Sequence, residues 1–292
     1  MPGKAIQAIV LDIDGTVLGK RWSVSDRTVA AVQRACAAGL PVVLATSRGP
    51  RGIRPIQQAL GLLGQPFVAY QGAIVARYHP AKGRLQVLTT TAMSTGMARE
   101  VLHLAEPAGF TVCWYAGEDW YVRRINQAVS REARITGETP QPAALEALPR
   151  APHKLLCIGS AGPSIQSRID KLMTYLPSGT VGRRSSARYL EVTVAGADKP
   201  VGVATLARHR GWCPENLLAI GDGENDLGLF GYVGVSVAMG NAPPSVTQAA
   251  TYRTGTNLAD GVADVLDAVD DARRLRVPVG GTFGPEALLA CG

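Results

Sequence analysis

Short apolar runs alternate with helical segments along the first third of the chain. The run over 6–11, IQAIVL, is almost wholly apolar, which suits a strand buried on both faces. A helix is predicted over about 26–38, where Ser25 can cap the N-terminus and Gly39 can end the helix. The same alternation continues through a strand, a short helix and a strand expected at 40–45, 52–60 and 67–70. This order implies right-handed crossovers and a parallel sheet.

The pattern returns in the last third of the chain. Strands are predicted at 216–220 and 233–238, and helices at 199–210 and about 258–272, with a short helix after Gly223. The two outer thirds therefore predict a single α/β domain, a doubly wound, Rossmann-like core built on a parallel sheet.

The middle of the chain has a different organisation. Closely spaced strand candidates, such as those at 110–115 and 120–123, indicate hairpins and hence an antiparallel or mixed sheet. Further strands are expected at 85–88, 155–159 and 188–194, and helices near 94–108, 125–135 and 164–176. We interpret the middle as an inserted α+β domain. The expected division is core at 1–76 and 191–276, insertion at 77–190, and a loose Gly/Pro-rich tail at 277–292.

The net charge of +7 is confined to this insertion. Residues 77–190 hold 15 Lys/Arg and 8 Asp/Glu, whereas the rest of the 292-residue chain holds 15 of each. A basic segment can attract nucleic acid, anionic lipid or a small anionic substrate. Neither an RNA-binding aromatic signature nor a zinc-finger spacing supports a nucleic-acid partner.

Several classes of protein are disfavoured by the sequence. No apolar run approaches the roughly 18 residues that span a bilayer. The apolar stretch at the N-terminus is short and runs directly into two aspartates, unlike a secretory signal. The five cysteines form no CxxC pair, which argues against a zinc site or a disulfide framework. We therefore expect a cytoplasmic protein with no membrane partner.

Two aspartates follow the first predicted strand in the segment IVLDIDGT. Sites in open α/β sheets form at the carboxyl ends of strands, so Asp12 and Asp14 can take different roles in one pocket. Gly15 permits a tight turn and Thr16 offers a hydroxyl. For this pair taken alone, the alternative interpretation is a polar turn that joins the strand to the following loop.

A second acidic segment, GDGEND, follows the predicted strand at 216–220. Its carboxylates include Asp222 and Asp226, which repel one another unless a cation or solvent compensates, and its amide is Asn225. Hard oxygen ligands of this kind suit Mg²⁺. A solvated acidic loop is the alternative, but it becomes less plausible when Asp12 and Asp14 lie at another strand end.

Two further segments can handle a phosphate group. Thr46 and Ser47, in VVLATSR, can offer hydroxyl and backbone N–H groups, although they can equally cap a helix. Lys199, in GADKP, opens a helix and can neutralise phosphoryl oxygens, although most single lysines lie on the surface.

DIDGT, ATSR, Lys199 and GDGEND occur in the order of the four motifs of the haloacid dehalogenase-like hydrolases, and the chain resembles that superfamily over about residues 6–270. The long insertion, with AYQGAIV before it and AMGNAP after the fourth motif, resembles the Cof-type (class IIB) phosphatases. Two positions depart from the family pattern: Ser47 stands where glycine is commoner, and Gln71 where asparagine is common.

The resemblance implies a role for each matching residue. Asp12 matches the nucleophile that forms an aspartyl-phosphate, and Asp14 the general acid/base whose backbone carbonyl also binds Mg²⁺. Lys199 and Thr46 match the phosphoryl clamps. Asp12 and Asp222 match the carboxylate metal ligands, with Asp226 as a ligand or a neighbouring partner. Substrate or phosphate binding is expected of Thr46, Ser47, Arg48 and Asn225.

The predicted function is that of a Mg²⁺-dependent phosphatase acting on a small phosphorylated metabolite, such as a sugar phosphate. A phosphomutase of the same architecture and a catalytically silent metabolite-binding protein are the alternatives. No nucleic-acid partner is expected, and a homodimer is left open. The insertion would then be a cap over the site.

The basic cap suggests a hypothesis about the substrate. If cap arginines face the leaving group, substrates with a second anion should be preferred, because arginine binds such groups bidentately. Solvated surface charge is the alternative. The candidates are Arg123, Arg124, Arg183, Arg184 and Arg188.

Overall fold

The computed structural model of the chain describes residues 5–19, 22–160, 162, 164–269 and 282–283. These residues form one sheet of eight strands and a second of six strands. Helices pack on the sheets, and the chain passes from the larger sheet to the smaller one and back again. The predicted α/β class, a Rossmann-like core with an inserted cap, is confirmed.

The larger sheet holds the strands of both outer thirds. Its order is β14-β13-β12-β1-β2-β3-β4-β5, and the neighbours from β14 to β3 pair in parallel. The strands are β1 Ala8–Leu11, β2 Val42–Ala45, β3 Pro66–Ala69, β4 Ile74–Tyr78, β5 Leu85–Thr90, β12 Leu217–Gly221, β13 Val235–Ala238 and β14 Tyr252–Arg253. The central position of β1, between β12 and β2, brings the ends of these three strands together.

Two antiparallel strands extend this sheet at one edge. Strand β4 pairs with β3, and β5 pairs with β4, both in antiparallel register. The segment 85–88, which we assigned to the insertion, therefore belongs to the larger sheet, and the predicted boundary at 77 is wrong. Because β5 is mostly exposed, its side chains carry no burial pattern that would reveal its partner.

The smaller sheet forms the cap, in the order β10-β11-β9-β6-β7-β8. The predicted hairpin is present: β6 and β7 pair antiparallel, with Trp114 opposite Tyr121. Strand β11 continues to Val194, so the cap also runs past the predicted boundary at 190. The strands are β6 Phe110–Ala116, β7 Asp119–Val122, β8 Gln141–Pro142, β9 Lys154–Gly159, β10 Thr180–Ser186 and β11 Tyr189–Val194.

The helices begin and end where the sequence offers caps. The Ser25 hydroxyl accepts a hydrogen bond from the Thr28 N–H at 3.1 Å at the start of α1, and Gly61 ends α2 in the left-handed conformation. The helices are α1 Asp26–Ala37, α2 Pro50–Leu60, α3 Thr95–Ala105, α4 Gln127–Thr136, α5 Ile165–Thr174, α6 Lys199–Arg210, α7 Leu227–Tyr232, α8 Pro244–Ala249 and α9 Gly261–Asp267.

Apolar side chains cover both faces of the parallel sheet. Ile9 and Leu11 belong to the cluster that contains residues of α1 and α9, whereas Ala8 and Val10 pack with residues of α6. This two-sided burial explains the apolar sequence of β1. Each fully buried Leu or Ile side chain contributes about 1.5–3 kcal/mol to folding.

The cap has a core of its own. One face of its sheet, which includes Trp114, packs with residues of α3 and α5. Its other face carries Tyr115, which belongs to the cluster of the larger domain. The rings of Tyr115 and Tyr70 lie 5.9 Å apart, centroid to centroid, across the boundary between the two domains. This second face of the cap sheet therefore turns toward the strand ends.

Three other predictions concern the tail, the cysteines and the membrane. Of the predicted tail, only Thr282 and Phe283 lie among the described residues, and Phe283 is buried against Tyr252. Within the described part of the chain the cysteines are free thiols: Cys36, Cys113, Cys157 and Cys213. Among the described residues, no helix combines the length and apolar character that crossing a membrane requires.

Candidate active site

The motif residues converge in a cleft between the larger sheet and the cap. Asp12 follows β1, Ser47 follows β2, Asp222 follows β12, and Lys199 begins α6. The cleft has a volume of about 890 Å³, and the turn between β10 and β11 closes it from the cap side. Carboxyl ends of parallel strands meet at one edge of the sheet, which is why segments far apart in sequence come together here.

Lys199 links two aspartates in the buried floor of the cleft. Its Nζ donates to Asp12 Oδ1 at 2.6 Å and to Asp226 Oδ1 at 2.7 Å, and its side chain is fully buried. Burial alone would lower the pKa of Lys199, but the two carboxylates raise it well above its usual range. Burial raises the pKa of Asp12, and the Lys199 ammonium opposes that rise. The alternative of a surface lysine is wrong.

Asp226 holds the acidic loop in place. Its Oδ2 accepts from the backbone N–H groups of Asp222 and Gly223 at 3.2 and 3.0 Å, while its Oδ1 binds Lys199. Both oxygens are therefore already engaged. This arrangement fits a residue that positions the loop and the lysine better than it fits a direct metal ligand.

Asp222 is oriented by neighbours from two other loops. The Thr16 hydroxyl donates to its Oδ1 at 3.0 Å, and the Asn241 amide donates to its Oδ2 at 3.2 Å. Gly15 has φ +82°, and a Cβ there would lie 2.1 Å from Asp222 Oδ2, so only glycine permits this approach. Burial raises the pKa of Asp222 to about 6.

These aspartates form a candidate metal centre. One carboxylate oxygen from each of Asp12, Asp222 and Asp226 lies within 4.8 Å of the others. Desolvated carboxylates this close repel one another, and Lys199 supplies one positive charge for three of them. The donor set is hard oxygen, which fits a divalent cation of the Mg²⁺ type.

Asp14 is held by the arginine of the ATSR segment. Arg48 donates from Nε to Asp14 Oδ2 at 2.8 Å and from a terminal nitrogen to Oδ1 at 2.7 Å. The arginine is buried, whereas the Asp14 side chain is 36% exposed and lines the cleft. The structure therefore places the Arg48 guanidinium on a carboxylate, where we had assigned it to phosphate binding.

The hydroxyls after β2 differ in position. Ser47 lines the cleft, while Thr46 is buried beside it and its Oγ1 accepts from the Arg48 backbone N–H at 3.2 Å. Thr46 thus makes the local contact that a capping residue makes, and a hydroxyl that accepts can also donate.

Asn225 lies at the rim of the cleft, where its amide donates to Gln71 Oε1 at 3.4 Å. Gln71 has φ +59°, a conformation that is uncommon without glycine, and it lies in the turn after β3. The neighbouring Gly72 has φ +100°, and a Cβ there would lie 2.1 Å from the carbonyl oxygen of Asp198. The turn is therefore pressed against the start of α6.

Comparisons with known proteins agree with this geometry. The family model described as haloacid dehalogenase-like hydrolase matches residues 9–266. A candidate phosphatase of Haemophilus influenzae is 32% identical over 263 residues, which cover 89% of this chain and 97% of the relative. This chain belongs to the haloacid dehalogenase-like hydrolases.

Two further relatives define its place among these hydrolases. The HMP-PP phosphatase of Serratia proteamaculans is 28% identical over 80% of this chain and 84% of its own length. A solved haloacid dehalogenase-like hydrolase of Bacteroides thetaiotaomicron has a TM-score of 0.81 at 27% identity, over 91% of this chain and 100% of that one. The Cof-type assignment is confirmed, and the chain is a hydrolase of the phosphatase type.

In this haloacid dehalogenase-like hydrolase, a polar bridge joins the cap to the loops that follow β2 and β3. Lys154, at the start of β9, donates to the Ser47 carbonyl oxygen at 2.8 Å and lies 3.5 Å from Glu191 of β11. Glu191 in turn accepts from Gln71 at 3.4 Å. Lys154 is buried and lies over the Tyr115 ring. The bridge fixes the cap against the loop that carries Thr46 and Ser47.

Most of the candidate cap arginines with described contacts are ion-paired. Arg123 binds Glu106 and Glu146, and Arg184 binds Asp170. Arg183 lies 3.4 Å from Asp198. The larger cavity is lined by Arg183 and Arg184, while Arg188 borders a second cavity. Three of the five candidate arginines thus have carboxylate partners.

Sequence reasoning missed several site residues of this hydrolase. Asn241 lies in the AMGNAP segment, which was noted only as a resemblance. Lys154 and Glu191 lie in cap strands that read as ordinary half-buried strands, so only the three-dimensional pairing reveals them. His153 of the cap is half-buried, and its ring stacks on that of Tyr70.

Proposed function

We propose that this hydrolase is a Mg²⁺-dependent phosphatase that cleaves small phosphomonoesters through an aspartyl-phosphate on Asp12. The observation that carries the proposal is the contact of Asp12 Oδ1 with the buried ammonium of Lys199, in a cleft that also holds Asp14. A carboxylate attacks a phosphate dianion only when positive charge offsets their repulsion, and Lys199 supplies such charge beside the attacking group.

The first half-reaction transfers the phosphoryl group to the enzyme. An Asp12 carboxylate oxygen forms a bond to phosphorus as the bond from phosphorus to the ester oxygen breaks. Asp14, in its protonated form, gives its proton to that leaving oxygen, so that the alcohol departs neutral. Arg48 orients the Asp14 carboxyl group through its two hydrogen bonds.

The second half-reaction returns the enzyme to its starting state. Asp14, now ionised, accepts a proton from a water molecule as the water oxygen bonds to phosphorus. The bond between phosphorus and Asp12 breaks, which releases inorganic phosphate and regenerates the carboxylate. The covalent route replaces one difficult displacement by two easier ones.

A divalent ion fits the acidic floor of the site. Asp12 and Asp222 would hold Mg²⁺, together with the backbone carbonyl of Asp14, while Asp226 keeps Lys199 and the loop in place. When bound, such an ion neutralises charge on the phosphoryl oxygens and helps to orient the phosphoryl group.

The cleft supports a substrate of metabolite size. Its volume of about 890 Å³ falls in the range of small-molecule sites, and the cap covers it. A relative is named for the phosphatase reaction on HMP-PP, a small phosphorylated compound, which supports the same class of substrate here. Free thiols at Cys113 and Cys157 support a reducing setting such as the cytoplasm.

A screen for phosphate release tests the proposal. The protein is assayed over a panel of phosphomonoesters with Mg²⁺ and again with excess EDTA. We expect Mg²⁺-dependent release of stoichiometric inorganic phosphate from at least one small ester. If no inorganic phosphate is released and the ester is converted into an isomeric phosphate, the protein is instead a phosphomutase.

A further inference from the structure

The active-site cleft has a second branch between the cap and the start of α2. This second cavity has a volume of about 590 Å³ and shares Asp14, Ser47 and the β10–β11 turn with the first cavity. Helix α4 and the loop after it form one wall. A substrate whose phosphate lies at Asp12 can therefore extend its alcohol portion past Asp14 into this branch.

Two buried carboxylates line this branch. Glu132, on α4, and Glu138, just after it, are each 7% exposed. Among the described residues, Glu132 Oε2 has no hydrogen-bond partner. Tyr189 hydrogen-bonds to the Glu132 side chain. An unsatisfied buried carboxylate is costly, so its presence beside a cavity indicates a donor that arrives with the ligand.

The cations nearby are already committed to other partners. Arg48 donates its two hydrogen bonds to Asp14, and Lys154 is bound to the Ser47 carbonyl oxygen and close to Glu191. Burial raises the pKa of Glu138 to about 7, and the positive charges of Lys154 and Arg48 only partly oppose this. The inner wall of the branch therefore offers acceptors in excess of donors.

We propose that the second branch binds the leaving group of the substrate, and that this leaving group presents an amino or ammonium group to Glu138 and Glu132. The inference rests on the proposed phosphatase function and adds the substrate class, namely phosphomonoesters of amino-bearing alcohols. Glu138 is then a specificity-determining residue, because it touches the leaving group and not the reacting phosphorus.

The structure favours this class over a doubly anionic substrate. The cap arginines Arg123 and Arg184 are paired with carboxylates of the cap itself. Arg131 and Arg188 line the branch, but they lie nearer its exposed side, whereas Glu132 and Glu138 are buried. A second anion would meet these two carboxylates at the buried end of the branch.

Matched substrates test the proposal. Glucosamine 6-phosphate is compared with glucose 6-phosphate, and pyridoxamine 5′-phosphate with pyridoxine 5′-phosphate; 6-phosphogluconate supplies a second anion. We expect kcat/KM for the aminated ester to exceed that of its partner by at least about tenfold in one pair, through a lower KM. The 6-phosphogluconate should be the poorest hexose substrate.

Variants locate the preference. Glu138→Gln keeps the shape of the side chain but removes its charge, and it should abolish the preference by lowering kcat/KM for the aminated ester. Glu132→Gln should act in the same direction. Glu100→Gln, an exposed glutamate on α3, is the matched control and should leave the preference unchanged. A preference that survives in both Glu138→Gln and Glu132→Gln would overturn the proposal.

The outcomes separate this inference from the proposed function. p-Nitrophenyl phosphate, which has no amino group, reports on phosphatase chemistry alone. If p-nitrophenyl phosphate is hydrolysed while kcat/KM is equal within both substrate pairs, the inference is overturned and the proposed phosphatase function is retained. If no ester is hydrolysed, the Asp12→Asn variant is titrated with the same substrate pairs by calorimetry. Tighter binding of the aminated member supports the inference that the branch binds an amino group, and equal binding overturns it.

Discussion

The guanidinium of Arg48 forms two parallel hydrogen bonds with the carboxylate of Asp14, at 2.8 and 2.7 Å. The arginine also approaches the carbonyl oxygen of Ile135 in α4, at 3.5 Å. A residue of the core loop therefore orients the proposed general acid/base and contacts the cap at the same time. Such a fork-shaped contact fixes a planar carboxylate more closely than a single bond does.

Replacement of Arg48 by lysine should impair the chemistry more than the binding. Lysine keeps the charge but cannot hold both Asp14 oxygens, so we expect kcat to fall by about 10- to 100-fold with a small change in KM. The pH dependence of kcat should also change, because Arg48 contacts the group that exchanges the proton. Arg51→Lys, at an exposed arginine three residues later in α2, is the control. An unchanged kcat and pH profile would contradict the positioning role.

Lys199→Met should destabilise the fold and remove activity. The change leaves the buried Asp12 and Asp226 without their shared cation, which costs about 3–5 kcal/mol in the free energy of unfolding. Urea denaturation without added metal measures the loss. Lys171→Met, an exposed lysine on α5, should change stability by less than about 0.5 kcal/mol. Equal stability of the Lys199 variant and the native protein would show that the pair is not a structural contact.

Asp222→Asn should weaken the binding of Mg²⁺. One anionic ligand is lost from a site with few protein ligands, so the Mg²⁺ concentration for half-maximal activity should rise at least about tenfold. Calorimetry of Mg²⁺ binding gives an independent measurement. Glu224→Gln, an exposed acid two residues away, is the control. If the Asp222 variant and the native protein required the same Mg²⁺ concentration, Asp222 would not be a metal ligand.

His153 should make stability depend on pH. Burial lowers the pKa of His153 to about 4, from an ordinary value near 6.5. Its Nδ1 accepts from the Gly117 N–H at 3.0 Å, so the neutral ring can donate from Nε2 to Thr90. Because the unfolded chain binds the proton more readily, this contribution is complete above about pH 6.5 and is lost as the pH falls toward 4.

The measurement compares the free energy of unfolding of the native protein with that of the His153→Gln variant. The difference in their free energies of unfolding should shrink by about 1–3 kcal/mol between pH 7.5 and pH 4.5. Carboxylates with raised pKa values act in the opposite direction, but they are common to both proteins and cancel. A difference that does not vary with pH would show that His153 titrates normally in the folded state.

Continuous apolar runs in the sequence made much of the fold predictable, because they mark the buried strands. Strands β1 and β2 are buried along their whole length, and their apolar sequences identified them. Strand β10 was not predicted, because its sequence TVGRRSS lacks apolar alternation, and it is held by backbone pairing with β11. The placement of β5 escaped prediction for a similar reason, since its partner is chosen by hydrogen bonding along a half-exposed edge.

The acidic motifs revealed the site, but not its connections. Asp12, Asp222 and Lys199 were predictable because their local sequences concentrate charge next to buried strands. The pairing of Arg48 with Asp14 joins loops 34 residues apart, and Glu138 looks like any polar residue after a helix. Such contacts depend on how the cap docks, which is determined by packing over the whole interface.

The central claim is the covalent intermediate on Asp12, and trapping it is the most direct test. Asp14→Asn should still be phosphorylated by p-nitrophenyl phosphate, whose leaving group needs no proton, but should hydrolyse the intermediate slowly. Mass spectrometry after an acid quench should find one phosphoryl group on the peptide that carries Asp12, and none in the Asp12→Asn, Asp14→Asn double variant. Turnover by the native enzyme, with no label on the Asp14→Asn variant or with label on another residue, would contradict the account.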